Sequence, residues 1–187
     1  MWKLRRFLKN YKKQVILGPL FKLIEAIFEL IVPVVMASII DNGVARNDAG
    51  YVWRMGGVLL LLGIVGLGCA LVCQKMASIA YHALDSKKGE DIQVIDISEI
   101  SVLADYFIIA NGTSNSQVQA LVDNVEEELA KEGFILKQGE GYGLGTWVLL
   151  DYGDIIVHVF DKENRLFYDL ERIWKDGKMI SAGELED

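Results

Sequence analysis

The sequence predicts an α/β domain, a mixed sheet with flanking helices, preceded by two transmembrane helices. The charge changes sign along the chain: residues 1–74 hold nine Lys/Arg and four Asp/Glu, and residues 75–187 hold ten and twenty-two, so balances of +5 and −12 give the net charge of −7. Residues 56–73 contain no charged side chain. Such asymmetry is typical of two units with different surroundings. We therefore expect a membrane segment at 1–74 and an acidic domain at 75–187.

Two stretches of the first unit are candidate membrane spans. Residues 56–73 would form a helix about 27 Å long, close to the thickness of the hydrocarbon core. Residues 15–40 are less regular, because they include two glutamates and a proline. Six basic residues precede this first span, and the positive-inside tendency places them in the cytoplasm. Two spans, with membrane contact through residues 15–73, would then return the chain to the cytoplasm at Gln74.

The acidic domain shows alternating helical and strand patterns. A helix over 76–88 has apolar residues three and four apart and ends at Gly89. The remaining predicted elements, in chain order, are strands at 92–98 and 106–110, a helix that begins with a capping box at Ser114 and ends at Gly133, a short strand at 134–138, paired strands at 147–152 and 155–160, and a helical turn at 170–174. This order fits an α/β layer fold of about a hundred residues, which is large enough for its own core.

Four separated blocks of this domain, at 104–110, 117–121, 147–160 and 165–172, occur in one recognisable order. Together they resemble the ribosomal silencing factor family, also called the Iojap-like family, over about residues 76–180. The resemblance implies a nucleotidyltransferase-like fold of the Iojap type. It also implies a function: family members bind the large ribosomal subunit through its L-fourteen family protein, block subunit joining sterically and lower translation. Members are often homodimers when free.

The resemblance also implies which residues face the partner, because the family's interface lies around the block that starts at Trp147. The partner-binding roles carried to this chain are those of Trp147, Leu150, Asp151, Tyr152, Asp154, Tyr106 and Asp105. An acidic domain fits a basic ribosomal-protein surface and would be repelled by bare RNA. From the residues alone, a core hairpin with a polar turn explains the main cluster equally well, because aromatic and β-branched residues favour strands.

The acidic domain offers little for catalysis or metal binding. The chain has only two histidines and two cysteines, whereas a zinc site needs several such ligands at close spacing. Asp151 and Asp154 are three residues apart, and only residues two apart point the same way on a strand. No Gly-x-x-x-x-Gly-Lys-Ser/Thr phosphate loop occurs in the sequence. We expect no enzyme activity, no metal and no cofactor; the alternative is a nucleotidyltransferase-like enzyme.

Residues 16–30, 39–43 and the second predicted span resemble the start of an ABC-type exporter permease. In that family further spans and a nucleotide-binding domain follow, whereas here the sequence changes to an unrelated domain after Gln74. The resemblance implies a fusion at 74/75, with a membrane-tethered but cytoplasmic functional domain. A truncated permease fragment without an ATPase is the alternative function. The residues leave open whether the junction is a gene fusion, a recombination product or an assembly error.

Overall fold

The computed structural model describes residues 30–185. The chain divides into two compact units, Met1–Leu67 and Gly68–Asp187. A single helix, α2 (Ala49–Ser86), contains both this division and the predicted junction at 74/75. The domain boundary at 74/75 therefore stays a prediction.

The described part of the first unit is helical. Helix α1 (Leu30–Val44) ends in a π-helical turn at Ile39–Val44. Helix α2 begins after Asp48, whose side-chain Oδ1 accepts a hydrogen bond of 2.9 Å from the Tyr51 backbone N–H. A short carboxylate side chain at this position is a typical N-cap, because it satisfies an amide at the start of the helix that has no partner within it.

Within residues 30–185, α2 is the one helix long and apolar enough to cross a membrane. Its large apolar side chains between Val58 and Val72 are mostly exposed to solvent. The described part of α1, at about 15 residues, is shorter than a membrane span. Of the two predicted transmembrane helices, the described residues therefore show one candidate, and the other stays a prediction. The first predicted span, 15–40, lies largely outside the described residues.

The predicted helix at 76–88 is not a separate element, because it is the end of α2. Residues 69–88 include neither glycine nor proline, so nothing in the sequence interrupts the helix at 74/75. The helix ends where Lys88 takes a positive φ of 58° and the Gly89 N–H donates to the Leu84 carbonyl at 2.9 Å. The face of this segment that is buried consists of Cys73, Met76, Ala77, Ala80, Ala83 and Leu84.

One mixed sheet forms, as predicted, and its six strands include one near the C-terminus, Lys178–Ile180, that was not predicted. The strands are β1 (Glu90–Asp96), β2 (Tyr106–Gly112), β3 (Gln138–Glu140), β4 (Trp147–Asp151), β5 (Ile155–Asp161) and β6 (Lys178–Ile180). Their order across the sheet is β3-β4-β5-β2-β1-β6. Strands β2 and β5 are parallel, and every other neighbouring pair is antiparallel.

Helix α3 (Asn115–Lys131) confirms the prediction made from the capping box. The Ser114 hydroxyl accepts from the Gln117 N–H at 3.2 Å, and the Gln117 side chain accepts in turn from the Thr113 N–H at 2.7 Å. The predicted apolar face is buried and packs with α2 residues against one face of the sheet. That face consists of Val118, Leu121, Val122, Val125 and Leu129.

Two short helices, α4 (Lys162–Tyr168) and α5 (Leu170–Ile173), follow β5. A second, smaller core contains side chains from β1, β2 and β5, with Trp147, Leu170 and Trp174 packed against it. The helical turn at 170–174 was predicted from the sequence, whereas α4 was not. The predicted strand at 134–138 is also wrong, because pairing with β4 starts only at Gln138.

Candidate partner-binding site

The hairpin of β4 and β5 carries most of the predicted site. Its register pairs Trp147 with Phe160 and Leu149 with His158. The turn is closed by Asp151, whose Oδ1 accepts from the Gly153 N–H at 2.6 Å. Gly153 has a φ of +97°, a conformation that side-chain-bearing residues rarely adopt. The Asp-Tyr-Gly-Asp sequence therefore has a local structural role, in addition to any role in binding.

Alternation along β4 divides the predicted residues between the two faces of the sheet. Leu150 and Tyr152 are buried in the larger core, with 1% and 3% of their surface exposed. Burial also raises the pKa of the Tyr152 phenol. Trp147 and Asp151 lie on the opposite face and are partly exposed. Leu150 and Tyr152 thus support the hairpin from beneath, and their side chains are not open to a partner.

The start of β2 is attached to the turn of the hairpin. The backbone N–H groups of Asp105 and Tyr106 both donate to the Asp154 carbonyl, at 2.8 and 3.2 Å. Asp154 itself is exposed, whereas Asp105 and Tyr106 are partly buried. The structure therefore brings together the two sequence blocks that carry the predicted site, although they are about 50 residues apart in the chain.

Trp147 lies in a cluster of aromatic rings. Its ring centroid is 5.1 Å from that of Phe160, nearly parallel to it, and 4.6 Å from that of Tyr168 on α4. The indole Nε1–H donates to Nδ1 of His158 at 3.3 Å. His158 is buried, and this burial lowers its pKa to about 4, so the imidazole is neutral near pH 7.

The exposed apolar pair on α4 was not predicted from the sequence. Leu166 and Phe167 have 77% and 79% of their surface exposed. Phe167 contacts Tyr168 edge to face at 5.1 Å, and Tyr168 contacts Trp147, so the aromatic cluster continues to the surface of α4. Adjacent exposed large apolar residues often mark an interaction site. The signal in the sequence was the run Leu-Phe-Tyr between charged residues.

A buried arginine holds α4 against the sheet. Arg165 donates from Nε to Glu171 at 2.8 Å and from Nη1 to the Asn111 side chain at 2.9 Å. Its Nη2 lies 3.0 Å from an Asp91 carboxylate oxygen. A buried guanidinium is tolerated only when it is paired and hydrogen-bonded in this way. Arg165 therefore fixes the helix that places Tyr168 beside Trp147.

The described side chains at the hairpin are suited to recognition. Residues 30–185 contain no cluster of three or more His, Cys, Asp or Glu side chains placed to hold a metal ion. Asp151 already closes the turn. The glycine-rich segment after β3 packs on α3, where the Tyr142 hydroxyl donates to Asp123 at 2.8 Å. An aromatic cluster flanked by carboxylates is suited to binding a protein surface that is basic and partly apolar.

Comparisons with known proteins place this domain in a family of ribosome-associated regulators. Residues 72–187 match the family model described as ribosomal silencing factor during starvation. Ribosomal silencing factor RsfS of Bacillus subtilis is 41% identical over 106 residues, which cover 57% of this chain and 90% of the relative. RsfS of Halalkalibacterium halodurans is 38% identical over 107 residues, covering 57% and 92%.

Solved structures agree with the sequence relatives. A crystal structure of a protein from Chromobacterium violaceum is 39% identical, superposes with a TM-score of 0.54, and covers 58% of this chain and 89% of its own. The chain belongs to the ribosomal silencing factor family, which confirms the resemblance found at 76–180. The resemblance of residues 1–74 to an exporter permease gains no support from these comparisons and stays a prediction.

Proposed function

We propose that this chain is a steric regulator of translation. The domain at 75–187 binds the large ribosomal subunit through its L-fourteen family protein and blocks joining of the small subunit. No bond is made or broken, and no cofactor takes part. Family membership supports this proposal, as does the charge balance of −12 over residues 75–187, which suits a basic protein surface.

The observation that carries the proposal is the partly exposed aromatic cluster at Trp147. Carboxylates flank one end of this cluster, and an exposed apolar pair flanks the other. Trp147, Asp151 and Asp154 offer the contacts on the hairpin. Leu166 and Phe167 extend the same surface along α4. Partly buried aromatic anchors with a polar rim are the usual centre of a protein interface.

The remaining predicted site residues act beneath this surface. Leu150 and Tyr152 belong to the larger core, and Tyr106 packs against it. Asp105 joins the start of β2 to the turn through its backbone N–H, which donates to Asp154. In this proposal these four residues hold the hairpin in place, and substitutions there lower binding mainly by lowering stability.

Charge reversal at Asp154 tests the electrostatic part of the proposal. Asp154 is exposed, whereas Asp151 closes the turn and would confuse stability with binding. Asp154→Lys should weaken association with purified large subunits about 3–10-fold and change its salt dependence. The matched control is Asp85→Lys, which makes the same charge change at the exposed end of α2.

Association is measured by co-sedimentation at several salt concentrations, and subunit joining by sucrose-gradient profiles. Asp85→Lys should bind and block joining as the wild-type chain does. If Asp154→Lys keeps wild-type affinity and salt response while remaining folded, the hairpin is not the interface. If the wild-type chain binds large subunits but never alters joining, the steric mechanism is wrong.

A membrane tether is a second proposal, for the first unit alone. Helix α2 has the length and composition of a membrane span, and its apolar side chains near Leu60 and Ile64 are exposed. We propose that residues 15–73 anchor the chain, with the silencing domain in the cytoplasm. The full chain should then sediment with membranes and resist carbonate extraction, whereas a chain lacking residues 1–74 should stay in the supernatant.

Self-association is the last part of the proposal, and it follows from the family resemblance alone. A homodimer of the free domain would compete with the ribosome if it used the Trp147 surface. Sedimentation equilibrium of wild type and Phe167→Ser, compared with their large-subunit binding, would show whether the surface serves dimerisation, ribosome binding or both. A change in oligomeric state without a change in subunit binding would assign α4 to the dimer.

A further inference from the structure

A histidine at position 158 is expected to lower the stability of the fold relative to an apolar side chain of similar size. The side chain is 5% exposed, and its Nδ1 accepts the Trp147 indole N–H at 3.3 Å. A neutral imidazole that accepts at Nδ1 carries its proton on Nε2. That Nε2 is buried, and among the described residues it has no hydrogen-bond partner. An unpaired buried donor is destabilising, so packing alone would favour phenylalanine at this position.

The surroundings of His158 show what the imidazole contributes. Its ring lies 5.1 Å from that of Phe107, edge to face, and 6.2 Å from that of Phe160, nearly parallel. A phenylalanine could make both ring contacts. The hydrogen bond to Trp147 is the one interaction in this set that requires a nitrogen acceptor.

The strand register explains why the two side chains meet. Trp147 pairs with Phe160, and Leu149 pairs with His158. Trp147 and His158 are therefore diagonal neighbours on the same face of an antiparallel pair, within reach of long side chains. Rotation of the indole about its second side-chain torsion would break the hydrogen bond, so the acceptor selects one orientation of a ring that is partly exposed.

We propose that His158 is a positioning residue that fixes the orientation of the Trp147 indole for partner binding; this inference rests on the proposed function. With Nε1–H directed at His158, the indole offers a partner only carbon atoms. The contact at Trp147 is therefore apolar, made with aliphatic groups of the large-subunit protein and not with a phosphate or a carbonyl oxygen.

The test compares five single variants of the full chain in detergent, together with the double variant Trp147→Phe/His158→Phe. One of the five, Trp147→Ala, removes the proposed anchor. His158→Phe keeps the ring and removes the acceptor, whereas His158→Asn places an amide oxygen close to the position of Nδ1. Trp147→Phe removes the donor from the other side, and His82→Asn is a control at the chain's second histidine. Each variant is assayed for thermal melting and for large-subunit affinity, and each variant that retains Trp147 is also assayed for the ¹⁵N–¹H resonance of its indole.

Loss of one neutral hydrogen bond corresponds to about a 2–10-fold change in an equilibrium constant. His158→Phe should weaken large-subunit binding by that factor, shift the indole resonance and leave the melting temperature equal or higher. His158→Asn should restore both signals toward wild type, and His82→Asn should change neither. In the Trp147→Phe background, adding His158→Phe should cause no further loss of affinity.

Three outcomes separate this inference from the proposed function. Wild-type affinity for His158→Phe, together with weakened binding by Trp147→Ala, overturns the inference and leaves the function standing. Additive losses in the double variant also overturn it, because the two residues would then act independently. Wild-type affinity for Trp147→Ala overturns the proposed interface itself. If His158→Phe does not fold, the two single variants Trp147→Phe and His158→Asn test the same hydrogen bond. The first removes the donor and should weaken binding, and the second keeps an acceptor and should not.

Discussion

At the residue scale, the alternation of a strand determines which predicted side chains can reach a partner. The family resemblance implied partner-binding roles for Leu150 and Tyr152 together with Trp147 and Asp151. Only residues two apart share a face of a strand, so these four side chains divide into two pairs on opposite faces. Applying that rule to 147–152 would have assigned Leu150 and Tyr152 to the core, where the structure has them. His158 could not have been identified as the partner of Trp147, because a sequence does not give the register of a hairpin.

His158 should make the stability of the fold sensitive to acid. Burial lowers its pKa from 6.5 to about 4, so the folded state binds fewer protons than the unfolded state between these values. The contribution of neutral His158 to the free energy of unfolding is fully present above pH 6.5. About 3 kcal/mol of this free energy is lost as the pH falls from 6.5 through 4. Urea denaturation of wild type and His158→Phe from pH 7.5 to 4 measures the difference.

His158→Phe should lose less stability over this pH range, because the ring no longer takes up a proton on unfolding. Carboxylates titrate in both proteins and cancel in the comparison. Equal slopes of stability against pH in the two proteins would show that the imidazole is not buried in the neutral form.

At the scale of elements, local signals predicted the helix that has both a capping box and a periodic apolar face, and missed a short helix whose position depends on distant residues. Helix α3 has a capping box and an apolar face with helical spacing, and both are confirmed. Helix α4 has only seven residues, too few to show a period, and its position depends on Arg165 bonding to Asn111, 54 residues away. Tertiary contacts of this kind leave no local pattern in the sequence.

The exposed apolar pair on α4 should contribute to partner binding while adding little to stability. Leu166 and Phe167 are more than three-quarters exposed, so replacing both with serine removes little buried surface. The double variant should keep its melting temperature within a few degrees and weaken large-subunit binding at least about tenfold, as expected for a pair of interface anchors.

The control for α4 is Ile135→Ser. Ile135 is 83% exposed and follows α3. It precedes the β4–β5 hairpin in the sequence, whereas α4 follows it. That variant should bind large subunits with wild-type affinity. Equal weakening by both substitutions would mean that exposed apolar area acts non-specifically, and no weakening by either would remove α4 from the interface.

At the scale of the whole molecule, the sequence predicted the class of fold but not the order of its strands. The alternation of helical and strand patterns was sufficient for a mixed α/β sheet. The parallel pairing of β2 with β5 depends on packing between segments about 50 residues apart, and no local pattern encodes it. The charge pattern predicted a boundary at 74/75 between a basic, apolar part and an acidic one, but the helix that contains this position shows no break there.

The limits of the silencing domain are therefore best tested by truncation. Residues just before 75 contribute to the second unit: Cys73 is buried, and the Gln74 side chain donates to the Glu184 carbonyl at 3.0 Å. A fragment of residues 68–187 should unfold cooperatively. A fragment of residues 75–187 should also fold, but with a free energy of unfolding lower by about 1–3 kcal/mol, because it lacks one buried side chain and one hydrogen bond.

Urea denaturation followed by tryptophan fluorescence compares the two fragments, since both retain Trp147 and Trp174. The variant Gln74→Ala in the longer fragment isolates the hydrogen bond to Glu184 and should account for about 1 kcal/mol. Equal stability of the two fragments would place the domain boundary at 74/75, as the composition of the sequence predicted. Absence of a cooperative transition in the longer fragment would show that the second unit needs residues before Gly68, and the division of the chain into independent domains would then be wrong.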